Sequence, residues 1–99
     1  MKLFTQMLVN PRQTGALADS SPKLSHLIAE TANLKLKSCV VELGTGTGVF
    51  TEEILKHISP SCTFFSLEIN PKLAKETQKN CPSATVYCDS AENIHAYLS

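Results

Sequence analysis

Residues 42–48 read Glu-Leu-Gly-Thr-Gly-Thr-Gly, directly after the apolar run Cys39-Val40-Val41. Three of the chain's four glycines stand in this one stretch. Glycine adopts backbone dihedrals that a side chain penalises, and it lets main chain come close to a ligand. Downstream, in VFTEEILKHI, Val49, Phe50, Ile54 and Ile58 fall near helical spacing until Pro60 ends the pattern. An apolar strand, a glycine-rich turn and a helix form the unit that opens parallel α/β sheets. The free amides at the start of such a helix border the crevice where those sheets bind ligands.

The rest of the chain repeats the alternation. Residues 39–43 (CVVEL), 63–69 (TFFSLEI) and 84–88 (ATVYC) read as strands. The first is apolar without clean alternation, as expected of a strand covered on both faces. Asn70-Pro71 opens a helix running to about Asn80, with Asn70 as cap and Pro71 in the first turn. Asp89 or Ser90 caps a last helix through AENIHAY. Upstream, Ser21 and Pro22 start a helix over 22–35, with Leu24, Leu27, Ile28, Thr31 and Leu34 on one face. The first fifteen residues are mildly apolar and then turn-like, punctuated by Pro11 and Gly15. Short connections with helices between strands give parallel strands and right-handed crossovers. The expected fold is therefore a single α/β layered domain with helices on both faces of the sheet.

Composition bounds the partners. Hydrophobic residues make up 42% of the 99-residue chain, and nine basic residues balance nine acidic ones. This is globular composition, with no bulk positive charge to hold a phosphate backbone. No apolar run approaches the length of a membrane span, and no secretory signal is visible. Cys39, Cys62, Cys81 and Cys88 form no Cys-x-x-Cys pair, and His26, His57 and His95 have no ligand spacing relative to them. The cysteines read as free thiols, and no metal is assigned.

Three ligand classes compete for the glycine turn. The dinucleotide fingerprint places its third glycine where this chain has Val49, one residue beyond Gly48. The triphosphate loop requires Gly-Lys-Ser/Thr where this chain has Gly48-Val49-Phe50. A nucleoside ligand without a pyrophosphate remains. Glu68, at the end of the second strand, offers a carboxylate to a ribose diol. Asp89 adds an acceptor at the end of the third, although helix capping is its ordinary role.

Taken together, Glu-Leu-Gly-x-Gly-x-Gly at 42–48, LEIN at 67–70 and CDSAEN at 88–93 resemble the N-terminal half of class I S-adenosylmethionine-dependent methyltransferases. NPRQTGALADSSPKL at 10–24 and VVELGTGTGVFTEEIL at 40–55 are similar to the phospholipid N-methyltransferases, with the ribosomal RNA adenine dimethyltransferases close by. The resemblance implies a Rossmann-like parallel sheet in strand order 3-2-1, a partial class I methyltransferase fold. It divides the chain into an N-terminal arm over 1–21 and a partial S-adenosylmethionine-binding domain over 22–99.

It also implies roles. Glu42 would place the methionine amino group, directly or through water. Gly44, Thr45 and Gly46 would line the methionine and ribose, and Gly48 would admit the chain to the next helix. Glu68 would hold the ribose hydroxyls, Ile69 would pack on adenine, and Asp89 would receive the adenine amino group with Ser90 beside it. Arg12 to Ala16 would fold over the cofactor. No residue matches the family's acceptor motif, and the strands that carry it have no counterpart among these residues. The chain is thus expected to be the cofactor half of a longer protein, or a short protein that pairs with another, and inactive alone. Its strand at 39–43 would be an open edge inviting self-association. A phospholipid amine at a membrane surface is the expected acceptor, for a cytoplasmic protein peripheral to that membrane. RNA adenine is the alternative, and a non-catalytic nucleoside-binding or assembly module is the other class.

Overall fold

The computed structural model describes residues 6–9, 26, 30 and 32–98. Four parallel strands form one sheet in the order β1-β2-β3-β4: Gln6–Val9, Cys39–Leu43, Thr63–Leu67 and Val86–Tyr87. Helix α1 (Val49–His57) joins β2 to β3, and α2 (Pro71–Asn80) joins β3 to β4. A 3-10 turn (Ala91–Asn93) and the short helix α3 (His95–Leu98) follow β4.

The three strands read from the sequence pair as expected, with Glu42 beside Ser66 and Ser66 beside Val86. They run in the 3-2-1 order. Two details differ. The last strand is only Val86–Tyr87. More consequentially, Gln6–Val9, within the expected N-terminal arm, forms β1 and pairs in parallel with Cys39–Glu42. The expected open edge at Cys39-Val40-Val41 is therefore covered by β1 and does not offer itself to a second copy of the chain. Pairing across 33 positions in the chain satisfies backbone groups that would otherwise face outward.

The core is two-sided. On one face Val40 packs with Phe50 and Ile54 of α1 and with Leu34, joined by Phe64 and Ile58. On the other, Cys39, Val41, Phe65 and Leu67 meet Ile94 and Tyr97. Alternation along each strand divides the two sets. Burying Ile54 and Val40 completely stabilises the fold by roughly 1.5–3 kcal/mol each. Val49, placed by its spacing on the buried face, is instead exposed at the start of α1, while Thr51 and Glu53 are buried. Both polar side chains have partners, described below.

Of the expected helix over 22–35, His26 and Glu30 are helical; its start at Ser21-Pro22 lies outside the described residues. The segment turns at Asn33, whose φ is 55°, into a 3-10 turn at Leu34–Leu36. Among the described residues no helix is long and apolar enough to cross a membrane.

Candidate functional site

Because the strands are parallel, their carboxyl ends meet at one rim. Backbone bonds extend the sheet there. Gly44 N–H donates to Leu67 O at 2.8 Å, Glu68 N–H to Tyr87 O at 3.0 Å, and Asp89 N–H to Glu68 O at 3.2 Å. The glycine turn, Glu68 and Asp89 thus stand side by side.

All three turn glycines have positive φ: Gly44 at 85°, Gly46 at 57° and Gly48 at 99°. This is why the alternation exists, since each alternate residue takes a conformation costly for a side chain. Their surroundings differ. A β-carbon on Gly48 would stand 3.3 Å from Thr77 Cγ2 and 3.4 Å from Cys81 Sγ, whereas one on Gly46 would meet nothing within 4 Å. Gly48 lets α2 approach closely, and Gly46 presents bare backbone to open space.

Glu68 is wholly buried beneath the turn. Its Oε1 accepts the Thr45 amide at 2.8 Å and the Gly46 amide at 3.3 Å, with Thr45 Oγ1 at 3.4 Å. Its Oε2 accepts the Asn70 amide at 3.0 Å. The α2 side holds the turn's carbonyls. Thr77 Oγ1 donates to Thr45 Oγ1 at 2.8 Å and lies 3.1 Å from Gly46 O, while Asn80 Nδ2 donates to Thr47 O at 3.1 Å. Asn70 caps α2 as its sequence predicts, accepting from the amides of Lys72 and Leu73 at 2.9 and 3.2 Å.

Glu42 lies one register step before the turn and is equally buried. Its Oε1 accepts from Thr51 Oγ1 at 2.6 Å and Ser66 Oγ at 2.9 Å. Among the described residues its Oε2 has no hydrogen-bond partner. Burial pushes the carboxyl up to about 7; the two hydroxyls oppose this and the nearby Glu68 charge adds to it.

Asp89 is engaged on both oxygens. Oδ1 accepts from the Ser90 amide and Asn93 Nδ2, each at 2.7 Å, and Oδ2 from the Tyr97 hydroxyl at 2.6 Å. These bonds, the Tyr97 one foremost, hold its carboxyl below the usual aspartate range. Tyr97 is in turn fixed against Phe65 and Tyr87, with ring centroids at 5.9 and 4.6 Å. Ser90 caps the following turn by accepting from the Glu92 amide at 3.2 Å. Ile69 is 64% exposed beside this rim. Arg12 to Ala16 lie outside the described residues.

Glu42, Gly44, Thr45, Gly46, Gly48, Glu68, Ile69, Asp89 and Ser90 thus share one rim or its floor. Sequence reading missed Thr51, Ser66, Thr77 and Asn80. Thr77 carries a faint signal, a residue three positions after Ala74 on the buried face of an otherwise polar helix.

The sequence model of a family described as ribosomal RNA adenine dimethylase matches residues 19–91. An ornithine lipid N-methyltransferase from Singulisphaera acidiphila is 38% identical over 60 residues. That match covers 61% of this chain but only 31% of the relative's length. No solved structure matches the chain. Its glycine turn, parallel sheet and family match together establish that the chain belongs to the ribosomal RNA adenine dimethylase family, class I methyltransferases that use S-adenosylmethionine as methyl donor.

Proposed function

We propose that this chain is the S-adenosylmethionine-binding portion of an N-methyltransferase whose acceptor is a lipid-borne amine. The observation that carries the first half is the buried Glu42 carboxylate, whose Oε2 has no hydrogen-bond partner among the described residues, next to a turn whose Gly46 opens onto free space. S-adenosylmethionine carries an ammonium, a ribose diol and an adenine amino group, all of which donate. The rim offers a carboxylate for each in Glu42, Glu68 and Asp89. The ammonium suits Glu42, because a nearby cation favours the ionised carboxylate that burial disfavours. Glu68 takes the ribose hydroxyls while keeping amides of the turn, and Asp89 and Ser90 face the adenine edge with Ile69 over its plane. Gly44, Thr45 and Gly46 lie along the methionine and ribose. The bound cofactor supplies an activated methyl group, and these residues bind and orient it.

The lipid acceptor rests on the ornithine lipid N-methyltransferase relative and on the balanced charge of the chain. A neutral surface does not gather a phosphate backbone by counterion release. The reading places the protein in the cytoplasm, at the surface of a membrane.

Calorimetry with S-adenosylmethionine, S-adenosylhomocysteine and NAD tests the cofactor. The two sulfur nucleosides are expected to bind more tightly, and a preference for NAD would overturn the assignment. Methyl transfer by a protein containing this chain together with the acceptor half, offered vesicles of an amine-bearing phospholipid or adenine-containing RNA, tests the acceptor. Transfer to RNA alone would replace the lipid reading.

A further inference from the structure

Glu53 is a carboxylate on the buried face of α1, only 5% exposed beside Phe50 and Ile54. A charge there requires close partners. One is His57, one turn along the same helix face, with Nε2 at 3.1 Å from Glu53 Oε1. The other is His26, 27 positions earlier in the chain, with Nδ1 at 2.8 Å from the same oxygen. The two ring nitrogens are 3.2 Å from each other, and the rings are tilted by 53° rather than stacked. Three donor atoms of the kind that ligate metals therefore converge on one point.

The surroundings match such a use. The other nitrogen of His26, Nε2, lies 3.4 Å from Glu30 Oε1. A carboxylate on the far side of an imidazole fixes its tautomer and orients it toward a metal. Glu30 and His57 also line a cavity of about 380 Å³, with Asn33, Leu34, Lys35 and Leu36. Lys56 Nζ is 3.9 Å from Glu53 Oε2, but it is exposed and equally near Glu52, so it can move away.

We propose that His26, Glu53 and His57 bind a divalent transition metal of the zinc class, with Glu30 positioning His26. Zinc bonds to nitrogen and oxygen of about 2.0–2.1 Å in a tetrahedron separate neighbouring donors by about 3.3 Å. The observed separations of 2.8, 3.1 and 3.2 Å need open by only a few tenths of an ångström to half an ångström. Two imidazoles and one carboxylate favour zinc, cobalt or nickel over magnesium or calcium. The ion fastens the segment carrying His26 to α1, the helix that begins at the glycine turn. It takes no part in cofactor binding.

The test uses the full chain, freed of metal by chelation. Titration with Co²⁺ is expected to give the visible absorption of a four-coordinate ion, displaced by Zn²⁺ and not by Mg²⁺. The thiolate-to-cobalt charge-transfer band should be absent, because the cysteines are not ligands. His26→Ala, at an exposed position, should abolish the visible band, and His57→Ala should do the same. Glu30→Gln should weaken Zn²⁺ binding by about tenfold. Zn²⁺ should raise the melting temperature of the parent chain but not of His26→Ala. Circular dichroism in chelator checks that each variant is folded. Unchanged Zn²⁺ binding in His26→Ala, a thiolate band, or no saturable binding by the parent would each overturn the proposal.

Discussion

Glu42 and Glu68 are both glutamates, both wholly buried, and both near the carboxyl ends of adjacent strands. Their environments differ. Glu68 is gripped by backbone amides of Thr45, Gly46 and Asn70, one or two on each oxygen. Amides are fixed in direction and retain their donors at every pH. Glu42 is held by two hydroxyls on one oxygen, and the other has no partner among the described residues. Burial therefore raises its pKa to about 7. One carboxylate builds the turn, and the other keeps unsatisfied acceptor capacity beneath it. Burial alone does not say which role a buried acid plays; the kind and number of its donors do.

The sharpest way to break this contrast is to remove each acid in turn. Glu68→Ala leaves at least two amides of the turn without an acceptor, at about 1–3 kcal/mol each, so a loss of about 3 kcal/mol is expected by urea denaturation. Nucleoside binding should fall with it. A variant as stable as the parent would show that the turn holds itself.

Glu42→Gln is expected to act in the opposite direction on stability. The folded pKa of about 7 lies above the ordinary value of 4.5, so the folded chain retains a proton that the unfolded chain releases. Stability from this group is complete below about pH 4.5, declines as pH rises toward 7, and is lost above it. At pH 8 the neutral glutamine should therefore be more stable by about 3–4 kcal/mol, at roughly 1.4 kcal/mol per pH unit over the interval from 4.5 to about 7. It should also flatten the pH profile of stability between those values. Its affinity for S-adenosylmethionine should nevertheless drop. A stabilised variant that binds the cofactor normally would remove Glu42 from the site.

A smaller effect separates the glycines. Gly48→Ala combines a φ of 99° with crowding against Thr77 and Cys81, and should cost about 2–3 kcal/mol. Gly46→Ala, at 57° with open space around it, should cost about 1 kcal/mol in thermal denaturation. Equal losses would mean that contact with α2 is not what Gly48 provides. Smallest is Asn70→Ala, which removes the α2 cap for about 1 kcal/mol and should leave the turn's amides on Glu68. Amide chemical shifts of Thr45 and Gly46 would check the second point.

What the sequence made legible was local. Asn70-Pro71 announces a helix start through the chemistry of its own two residues, and Gly44, Gly46 and Gly48 announce a turn because no other residue takes their dihedrals readily. Apolar runs marked β2 and β3. Residues whose meaning comes from distant partners stayed hidden. Gln6–Val9 is too short to stand out, and its register depends on residues 33 positions away. Glu53 breaks the apolar stripe of α1, and its burial rests on His57 and on His26, 27 positions earlier in the chain. Glu68 was legible as an acid at the rim, but its amide partners depend on how the turn closes over it.

The bonds from Glu68 also change what hydrogen exchange would measure at the turn. An amide in a surface loop ordinarily trades its proton whenever the loop fluctuates. The Thr45 amide instead points at a carboxylate rooted at the end of another strand, 23 residues on. Its exchange waits on a separation of β3 from the turn, an opening drawn from the stability of the sheet rather than of the loop. Thr45 is in this sense a slow clock placed among fast ones, and its rate reads the integrity of the whole rim from a single position.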